Sequence, residues 1–388
     1  MKNHIPILEE PRSIDDINPT EFKNVQVFTQ KDVAPAHAWT FVQRGMDFNK
    51  NLGLQGLYCL HPFNTITIDG DGDVYACICQ SWLPISLGKI WEFKSLNDII
   101  RSRKARAIQA TILDGSYRYC SSECGLLQDH KDTLDTNFDT KLDSINWINF
   151  AIDASCNLTC PSCRKSFKFI SEGPEYDKRI SIVEHLVKLI QSNTEWLRFT
   201  LSGDGDPFAS LIYRELLTKL NLKNRPDTQI EIVTNGILLE AHWHKLVNVH
   251  KNIERVRISF DAGTPEVYNV TRRGGDWNKL ISSSKFLVDW KKQNNSNTII
   301  ESNFVVQATN YRDIPKFIEL CLEMNFDIIS FQKIVDWGTW SEGSINLFPN
   351  HAIWQPEHPE HQEFLKIMSH SLLLGPKINA TNLLEYIN

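Results

Sequence analysis

The stretch that decides the fold is Ala154-Ser-Cys156-Asn-Leu-Thr-Cys160-Pro-Ser-Cys163, whose three cysteines follow the spacing C-x3-C-x2-C. Cysteine thiolate is the standard ligand of protein iron–sulfur clusters, and three thiolates on one short loop suit such a cluster. With only three local ligands, one iron of a four-iron cluster stays open for a small molecule. Zinc is the alternative, although zinc usually pairs a C-x2-C with a second C-x2-C or with two histidines.

Composition limits the class of protein. The 388 residues are 41% hydrophobic and 23% charged, as expected for one large globular domain and a smaller one. The net charge of −6 argues against a nucleic-acid partner. No apolar run is long enough for a signal peptide or a membrane span, which indicates a cytoplasmic protein without a membrane partner. In the cytoplasm, cysteines are metal ligands or reduced thiols rather than members of disulfides.

The second half of the chain alternates strand and helix patterns. Six strand candidates are separated mostly by helical patterns: 147–151, 197–201, 229–233, 255–260, 299–306 and 327–331. This alternation predicts an α/β fold with a parallel sheet. We expect a partial (β/α)6 TIM-like barrel, because the remaining chain is too short and too helical for the two further units of a closed eight-stranded barrel.

The first half predicts a small α+β iron–sulfur domain on the N-terminal side of the barrel. A hairpin is expected over 63–78 around an Asp-Gly-Asp turn, and a helix over 95–113 beginning at the capping residue Ser95. The resulting domain limits are an N-terminal extension over 1–50, the small domain over 51–135, the barrel over 140–345 and a helical tail over 346–388.

Polar and small residues follow the strands at their carboxyl ends, where α/β barrels gather their functional groups. Taken singly, each has a plain explanation as turn chemistry, surface charge or core packing. Their occurrence at successive strand ends favours one site. The candidates are Ser202, Gly203, Asp204, Asp206, Asn235, Ser259, Asp261 and Arg272 for ligand binding, and Asp336 and Trp337 for substrate contact.

Residues from about 145 to 340 resemble a radical S-adenosylmethionine (SAM) catalytic domain. The resemblance rests on the cysteine spacing, the glycine motif after the second strand, and the run Ser259-Phe-Asp-Ala-Gly-Thr-Pro-Glu-Val-Tyr268-x3-Arg272. Two departures are Ser162, where many members have an aromatic residue, and Gly-Asp-Gly-Asp over 203–206 in place of Gly-Gly-Glu. The resemblance implies that Cys156, Cys160 and Cys163 bind a [4Fe–4S] cluster, and that the candidate ligand-binding residues bind SAM.

A second resemblance covers the N-terminal cysteines. Cys59-x12-Gly72-x4-Cys77, followed by Cys120-x3-Cys124, resembles the auxiliary-cluster domain called SPASM, or its shorter form, twitch. This domain usually follows the barrel, whereas here it precedes it. The resemblance implies a second [4Fe–4S] cluster on Cys59, Cys77, Cys120 and Cys124, with Cys79 as a substitute ligand. A structural zinc is the alternative, since four thiolates also suit that metal.

Together the two resemblances imply an oxidoreductase that cleaves SAM to a 5′-deoxyadenosyl radical and abstracts a hydrogen atom from its substrate. Because SPASM domains are common among peptide maturases, a peptide is the expected substrate. An electron donor such as flavodoxin or ferredoxin is also implied. The alternatives are a dehydrogenase or epimerase of a sugar-like small molecule, and a non-catalytic iron–sulfur protein that transfers electrons or senses redox state.

Overall fold

The computed structural model describes residues 17–22, 27–33, 49–122, 124–128, 131–138, 144–201, 205–342 and 345–387. The chain divides into two compact units. The first comprises residues 1–152 and 177–199, and the second comprises residues 153–176 and 200–388. Among the described residues, no helix is both long and apolar enough to span a membrane.

The first unit contains four neighbouring strands in the order β4–β1–β2–β3. Their bounds are β1 (Thr65–Asp69), β2 (Asp73–Tyr75), β3 (Ser86–Lys89) and β4 (Trp147–Ala151). Strand β1 runs antiparallel to β2 and parallel to β4, so the predicted hairpin is confirmed. Its turn is closed by the Asp69 carboxylate, which accepts hydrogen bonds from the backbone N–H groups of Asp71 and Asp73, both at 2.9 Å.

The helices of the first unit are α1 (His61–Asn64), α2 (Leu96–Arg101), α3 (Arg103–Leu113), α4 (Gly125–Gln128) and most of α5 (Pro174–Ser192). The prediction of a single helix over 95–113 is wrong in one respect, because Ser102 separates two helices there. Ser102 has extended backbone angles, and its hydroxyl accepts a hydrogen bond from Ala105 N at 3.3 Å. It therefore acts as the N-cap of a second helix, in the way that Ser95 caps the first.

The second unit contains strands in the order β12–β9–β8–β7–β6–β5, and the pairs from β6 to β9 and between β9 and β12 are parallel. The bounds are β5 (Arg198–Leu201), β6 (Gln229–Thr234), β7 (Ile253–Ser259), β8 (Ile299–Val306), β9 (Ile328–Lys333) and β12 (Ile378–Asn379). The division between the units falls within β5. A separate antiparallel pair joins β10 (Ser341–Glu342) to β11 (Ile345–Asn346).

Helices alternate with these strands and cover one face of them. They are α6 (Leu211–Lys219), α7 (Leu239–Trp243), α8 (Pro265–Thr271), α9 (Trp277–Gln293), α10 (Ile314–Glu323) and α11 (His361–Met368). Phe304 of β8 and Phe331 of β9 both contact the ring of Phe317 on α10, with centroids 4.9 and 5.6 Å apart. The predicted α/β class with a partial barrel is confirmed.

The predicted tail over 346–388 contains α11 and several 3-10 turns. It also contains β12, where Ile378 pairs with Ile329 of β9. The helical pattern of the tail did not predict this short strand, because two residues are too few to show a strand periodicity. The predicted domain limits stay predictions.

The face of β6 to β9 that lies away from the helices carries buried ion pairs. Glu301 accepts hydrogen bonds from Arg255 Nη1 at 2.5 Å and Arg257 Nε at 2.9 Å. Ser330 Oγ donates to the same carboxylate at 2.6 Å. Arg257 also pairs with Glu231 at 3.2 Å. Two arginines and two glutamates therefore balance one another, which buried charges require.

Replacing Glu301 by alanine removes the carboxylate that Arg255 and Arg257 share. Loss of one partner of a buried pair costs about 3–5 kcal/mol, so we expect E301A to lower the free energy of unfolding by this order in urea denaturation. The matched control is E385A, which removes the surface partner of Lys333, a glutamate whose side chain is 63% exposed. We expect at most about 1 kcal/mol there, and equal losses for the two variants would contradict the account.

Candidate functional site

The three cysteines of the short loop lie at the beginning of the second unit. Cys156 and Cys160 are buried and Cys163 is exposed. The N–H of Cys163 donates to the carbonyl of Cys160 at 3.0 Å. Leu158 and Ile237 pack against the two buried cysteines. The chain's own contacts therefore fix the loop that carries the three predicted ligands.

Each of these sulfur atoms has a side-chain nitrogen donor close to it. The pairs and their N···S distances are Asn235 and Cys156 (3.7 Å), Arg272 and Cys160 (3.9 Å), and Arg164 and Cys163 (3.5 Å). Hydrogen bonds to the sulfur atoms and nearby charge are what set the reduction potential of an iron–sulfur cluster. The two guanidinium groups stabilise negative charge on the thiolates and therefore favour the reduced state of a cluster bound there.

Arg272 is anchored by a buried carboxylate. Its Nη2 lies 2.8 Å from Asp261 Oδ2, and the other oxygen of Asp261 accepts a hydrogen bond from Val305 N at 2.7 Å. Asp261 has a φ of 56°, the left-handed region that aspartate enters more readily than most residues. Burial raises the pKa of Asp261, and the neighbouring guanidinium opposes that rise. The ion pair with Asp261 therefore orients the guanidinium group of Arg272 toward the sulfur of Cys160.

The carboxylate of Asp206, a predicted ligand-binding residue, is surrounded by donors from the chain. Its Oδ2 accepts hydrogen bonds from Thr234 Oγ1 and Asn235 N, both at 2.7 Å. Its Oδ1 accepts from the backbone N–H groups of Phe208 and Ala209, at 3.0 and 3.1 Å. Burial raises the pKa of Asp206, and these donors oppose the rise. Both oxygens are thus engaged by the chain itself, which makes Asp206 a positioning residue for Asn235.

The loop after β5 packs directly on the beginning of the cysteine loop. A Cβ at Gly205 would lie 2.6 Å from the carbonyl oxygen of Asp153 and 2.8 Å from that of Ser155, so only glycine fits. The N–H of Asp206 donates to the carbonyl of Ser155 at 2.9 Å. The preceding candidates lie outside the described residues, and their assignment stays a prediction: Ser202, Gly203 and Asp204.

The remaining candidates lie at the carboxyl ends of two other strands. Ser259 ends β7 and is 9% exposed. Asp336 and Trp337 follow β9; the Asp336 carboxylate accepts a hydrogen bond from Gly338 N at 2.8 Å, and Trp337 is 55% exposed. The role of Ser259 in cofactor binding and the roles of Asp336 and Trp337 as substrate contacts stay predictions.

The second group of cysteines lies in the first unit around one pocket. Four of them line it together with His61, Tyr117 and apolar side chains: Cys59, Cys77, Cys120 and Cys124, with Pro62, Trp82, Leu83, Leu126 and Leu127. Cys79 is half-buried and is not among the lining residues. The structure therefore brings together the four thiols that the sequence analysis selected.

These four thiols suit an iron–sulfur cluster. Tyr117 positions the first of them, because its hydroxyl accepts a hydrogen bond from Cys59 N at 2.9 Å and donates to Leu57 O at 2.6 Å. Burial raises the pKa of Cys59 to about 12, and it also raises those of Cys77 and Cys120. In such a pocket the thiolate form requires the positive charge of a metal centre.

Neither group of thiols is arranged as a site for a single ion. Among the described parts of the chain, no three His, Cys, Asp or Glu side chains are grouped closely enough to bind one metal ion. The ligands of a four-iron cluster bind different irons and so lie further apart than the ligands of one zinc.

Some functional contacts were not found from the sequence. Arg164 directly follows the third cysteine, and this adjacency is the one signal that could have indicated its contact with Cys163. Cys321 is 0% exposed within α10. It is therefore a core residue.

Family comparisons agree with this geometry. The profile described as the radical SAM superfamily matches residues 154–320, and the profile of an iron–sulfur cluster-binding domain, SPASM, matches residues 59–125. The chain thus contains a radical SAM domain. More particularly, it carries a SPASM domain that precedes the radical SAM domain, as the two cysteine groups predicted. Domains of these kinds bind [4Fe–4S] clusters, and the radical SAM domain also binds SAM.

Similar proteins include a probable GTP 3′,8-cyclase from Methanocaldococcus jannaschii, 28% identical over 192 residues. The match spans 48% of this chain and 59% of that protein. A GTP 3′,8-cyclase from Peptoclostridium acidaminophilum is 26% identical over 202 residues, which are 51% of this chain and 58% of that protein. The chain thus spans less than two thirds of these relatives.

Two solved structures that partly match this chain are SuiB and anSMEcpe. Streptococcus suis SuiB, bound to its precursor peptide SuiA, is 15% identical, with a TM-score of 0.37 over 49% of this chain and 39% of that one. For anSMEcpe with bound AdoMet, the identity is 23% and the TM-score 0.40, over 57% of this chain and 58% of that one.

Replacing Arg272 by glutamine removes a positive charge next to Cys160 while keeping a hydrogen-bonding side chain. We expect R272Q to shift the midpoint potential of one cluster to a more negative value, because the reduced state loses electrostatic stabilisation. An EPR-monitored redox titration of the reconstituted protein measures this shift. The control is R312Q, on an exposed arginine paired with Glu360 and Glu363; a shift of the same size there would contradict the assignment.

The pocket in the first unit predicts which cysteine is the spare one. We expect C120S to lose about four irons per chain, because one ligand of a [4Fe–4S] cluster is removed. C79S should retain its iron, since Cys79 does not line the pocket. Iron and sulfide counts on anaerobically reconstituted protein make the comparison. Full iron content in C120S together with loss in C79S would show that Cys79 is the ligand.

Proposed function

We propose that this radical SAM enzyme modifies a peptide oxidatively. The observation that carries the peptide assignment is the exposure of three large apolar residues in the segment that follows β9. Val335, Trp337 and Ile345 are 47%, 55% and 61% exposed. Exposed apolar side chains that come together on a surface mark sites of interaction, and we propose that these three do so. A peptide supplies apolar side chains for such a surface, whereas a sugar or nucleotide offers mostly polar groups.

Within the second unit, Cys156, Cys160 and Cys163 are the proposed ligands of the SAM cluster. When bound, this cluster and SAM supply the one-electron cleavage that yields a 5′-deoxyadenosyl radical, which removes a hydrogen atom from the substrate. Ser259 and Arg272 are the proposed partners of the SAM carboxylate, a group that a guanidinium binds well.

The oxidative outcome is proposed from the second cysteine group. A cluster on Cys59, Cys77, Cys120 and Cys124 supplies an acceptor for the electron that an oxidation releases. The proton released with that electron passes to solvent. An external protein such as flavodoxin or ferredoxin is the proposed source of the electron that begins each turnover.

Cyclisation of GTP is the second candidate. It is favoured by the 28% identity to a protein named probable GTP 3′,8-cyclase, over 48% of this chain. An assay of SAM cleavage separates the two candidates, because only the true substrate is expected to stimulate the cleavage.

The test is formation of 5′-deoxyadenosine by the anaerobically reconstituted protein with SAM and dithionite. We expect a library of short peptides, and not GTP, to stimulate this formation and to yield a peptide product lighter by two hydrogen atoms. W337A should raise the KM for the peptide, because it removes part of the exposed apolar surface. The matched control is W196A, on a tryptophan that is 41% exposed in the first unit.

Stimulation by GTP alone would replace the peptide proposal by the second candidate. An iron-loaded protein that forms no 5′-deoxyadenosine with any of these compounds would contradict both.

A further inference from the structure

A pocket of about 380 Å³ lies within the second unit, beside the cysteine loop. Pockets that bind small molecules have volumes of roughly 300 to 1,000 Å³. None of the three cysteines lines this pocket, and neither Ser259 nor Arg272 does. The function proposed above therefore leaves it unused. Its lining includes four large apolar side chains and two basic ones: Phe167, Phe169, Phe208 and Leu238, with Arg214 and His242.

Two of the phenylalanines are exposed and yet held in place. Phe167 and Phe169 are 59% and 46% exposed. Their rings are stacked, with centroids 6.4 Å apart and an interplanar angle of 20°. Between them, the carbonyl of Lys168 accepts a hydrogen bond from Cys156 N at 3.0 Å. The cysteine loop thus fixes the segment that brings both rings to the pocket, and such exposed apolar side chains indicate a site of interaction.

The other apolar wall of the pocket belongs to the core. Phe208 is 1% exposed, and its ring centroid lies 6.4 Å from that of Trp243 at the end of α7. Leu238, just before α7, packs against the cluster of buried residues that contains Cys156 and Cys160. Because these side chains are held by the fold, the apolar part of the pocket exists before any ligand binds.

The pocket also contains a guanidinium without a carboxylate partner among the described residues. Arg214 on α6 is half-buried; its Nε donates to Ser210 O at 3.3 Å and its Nη1 donates to His242 Nε2 at 3.0 Å. Burial lowers the pKa of His242 to about 4, and the charge of Arg214 contributes, so this imidazole is neutral at neutral pH. Arg214 therefore supplies a positive charge that no acid of the described residues balances.

We propose that this pocket binds a carboxylate carried on an aromatic ring. A guanidinium forms two parallel hydrogen bonds to a carboxylate, and an aromatic ring packs well against the phenylalanines. A single guanidinium beside a neutral imidazole matches one negative charge, whereas a triphosphate carries several. The ligand is either a free aromatic acid or the C-terminal residue of a peptide, since both present this chemistry.

The test uses the holoenzyme with reconstituted clusters and saturating SAM, titrated anaerobically by ligand-observed NMR. The probes are N-acetylphenylalanine, which has a free carboxylate, and N-acetylphenylalaninamide, in which an uncharged amide replaces it. We expect the wild type to bind the acid about tenfold or more tightly than the amide, because only the acid forms a charge-assisted pair with Arg214. Equal affinities would overturn the proposal. Displacement of the acid by SAM would also overturn it, because the pocket would then belong to the SAM site.

Two variants locate the binding. R214Q should weaken the acid about tenfold or more and leave the amide unchanged, since it removes the charge alone. F167A should weaken both probes, because it removes an apolar contact that they share. The control is R312Q, on an exposed arginine paired with Glu360 and Glu363, which should change neither affinity. A preference for the acid that persists in R214Q would contradict the proposal.

A third variant guards against a folding defect. If R214Q loses its iron, R214K keeps the positive charge and removes the planar guanidinium. We expect R214K to bind the acid several-fold more weakly than the wild type and still to prefer it to the amide. Unchanged binding of the acid in iron-loaded R214K and F167A would overturn the site.

A further probe, 3-phenylpropanoate, separates the two sources of the ligand, because it lacks the amide group of a peptide. Affinity equal to that of N-acetylphenylalanine would support a free aromatic acid, and weaker binding would support the C-terminal residue of a peptide. In both cases the binding should depend on Arg214. None of these measurements requires turnover, so the pocket and the proposed reaction can fail separately.

Discussion

The buried carboxylate of Asp206 is the interaction on which the cysteine site of the second unit depends. Four donors from the chain bind its two oxygens, and one of them is the backbone N–H of Asn235. The N–H of Asp206 also bonds to Ser155, at the beginning of the cysteine loop. Asp206 thus connects the loops that follow β4, β5 and β6 by hydrogen bonds. These bonds also position the Asn235 amide next to Cys156. Its own charge is offset by donors rather than by a cation.

A second buried acid has the same positioning role on the other side of the loop. Asp261 binds Val305 of β8 and the guanidinium of Arg272, which reaches Cys160. Below this level, Glu301 and its arginines occupy the same face of the strands. The face therefore changes from a closed ion-pair layer to the cationic donors beside the thiols. The first layer suits stability, and the second suits tuning of a cluster.

Much of this architecture could be predicted from the sequence, because cysteine spacing and strand–helix alternation are local patterns. The four thiols of the first unit were implied by the resemblance to a SPASM domain, and they line one pocket. What could not be predicted depends on long-range contacts. Asp206 sits in a turn motif where its carboxylate could equally meet a ligand, and only the position of Asn235 shows that the chain uses it. Ser102 ends one helix because its hydroxyl caps the next, a local competition that periodicity does not reveal.

The central claim is that the chain binds two clusters and that only the one in the second unit binds SAM. EPR spectra of the reduced, reconstituted protein with and without SAM test it most directly, beside a variant in which Cys156, Cys160 and Cys163 are alanine. The account predicts two signals in the wild-type protein, of which SAM changes one, and the variant should lack that signal while the other stays insensitive to SAM. A SAM-sensitive signal that survives in the variant, or two signals that both ignore SAM, would contradict the account.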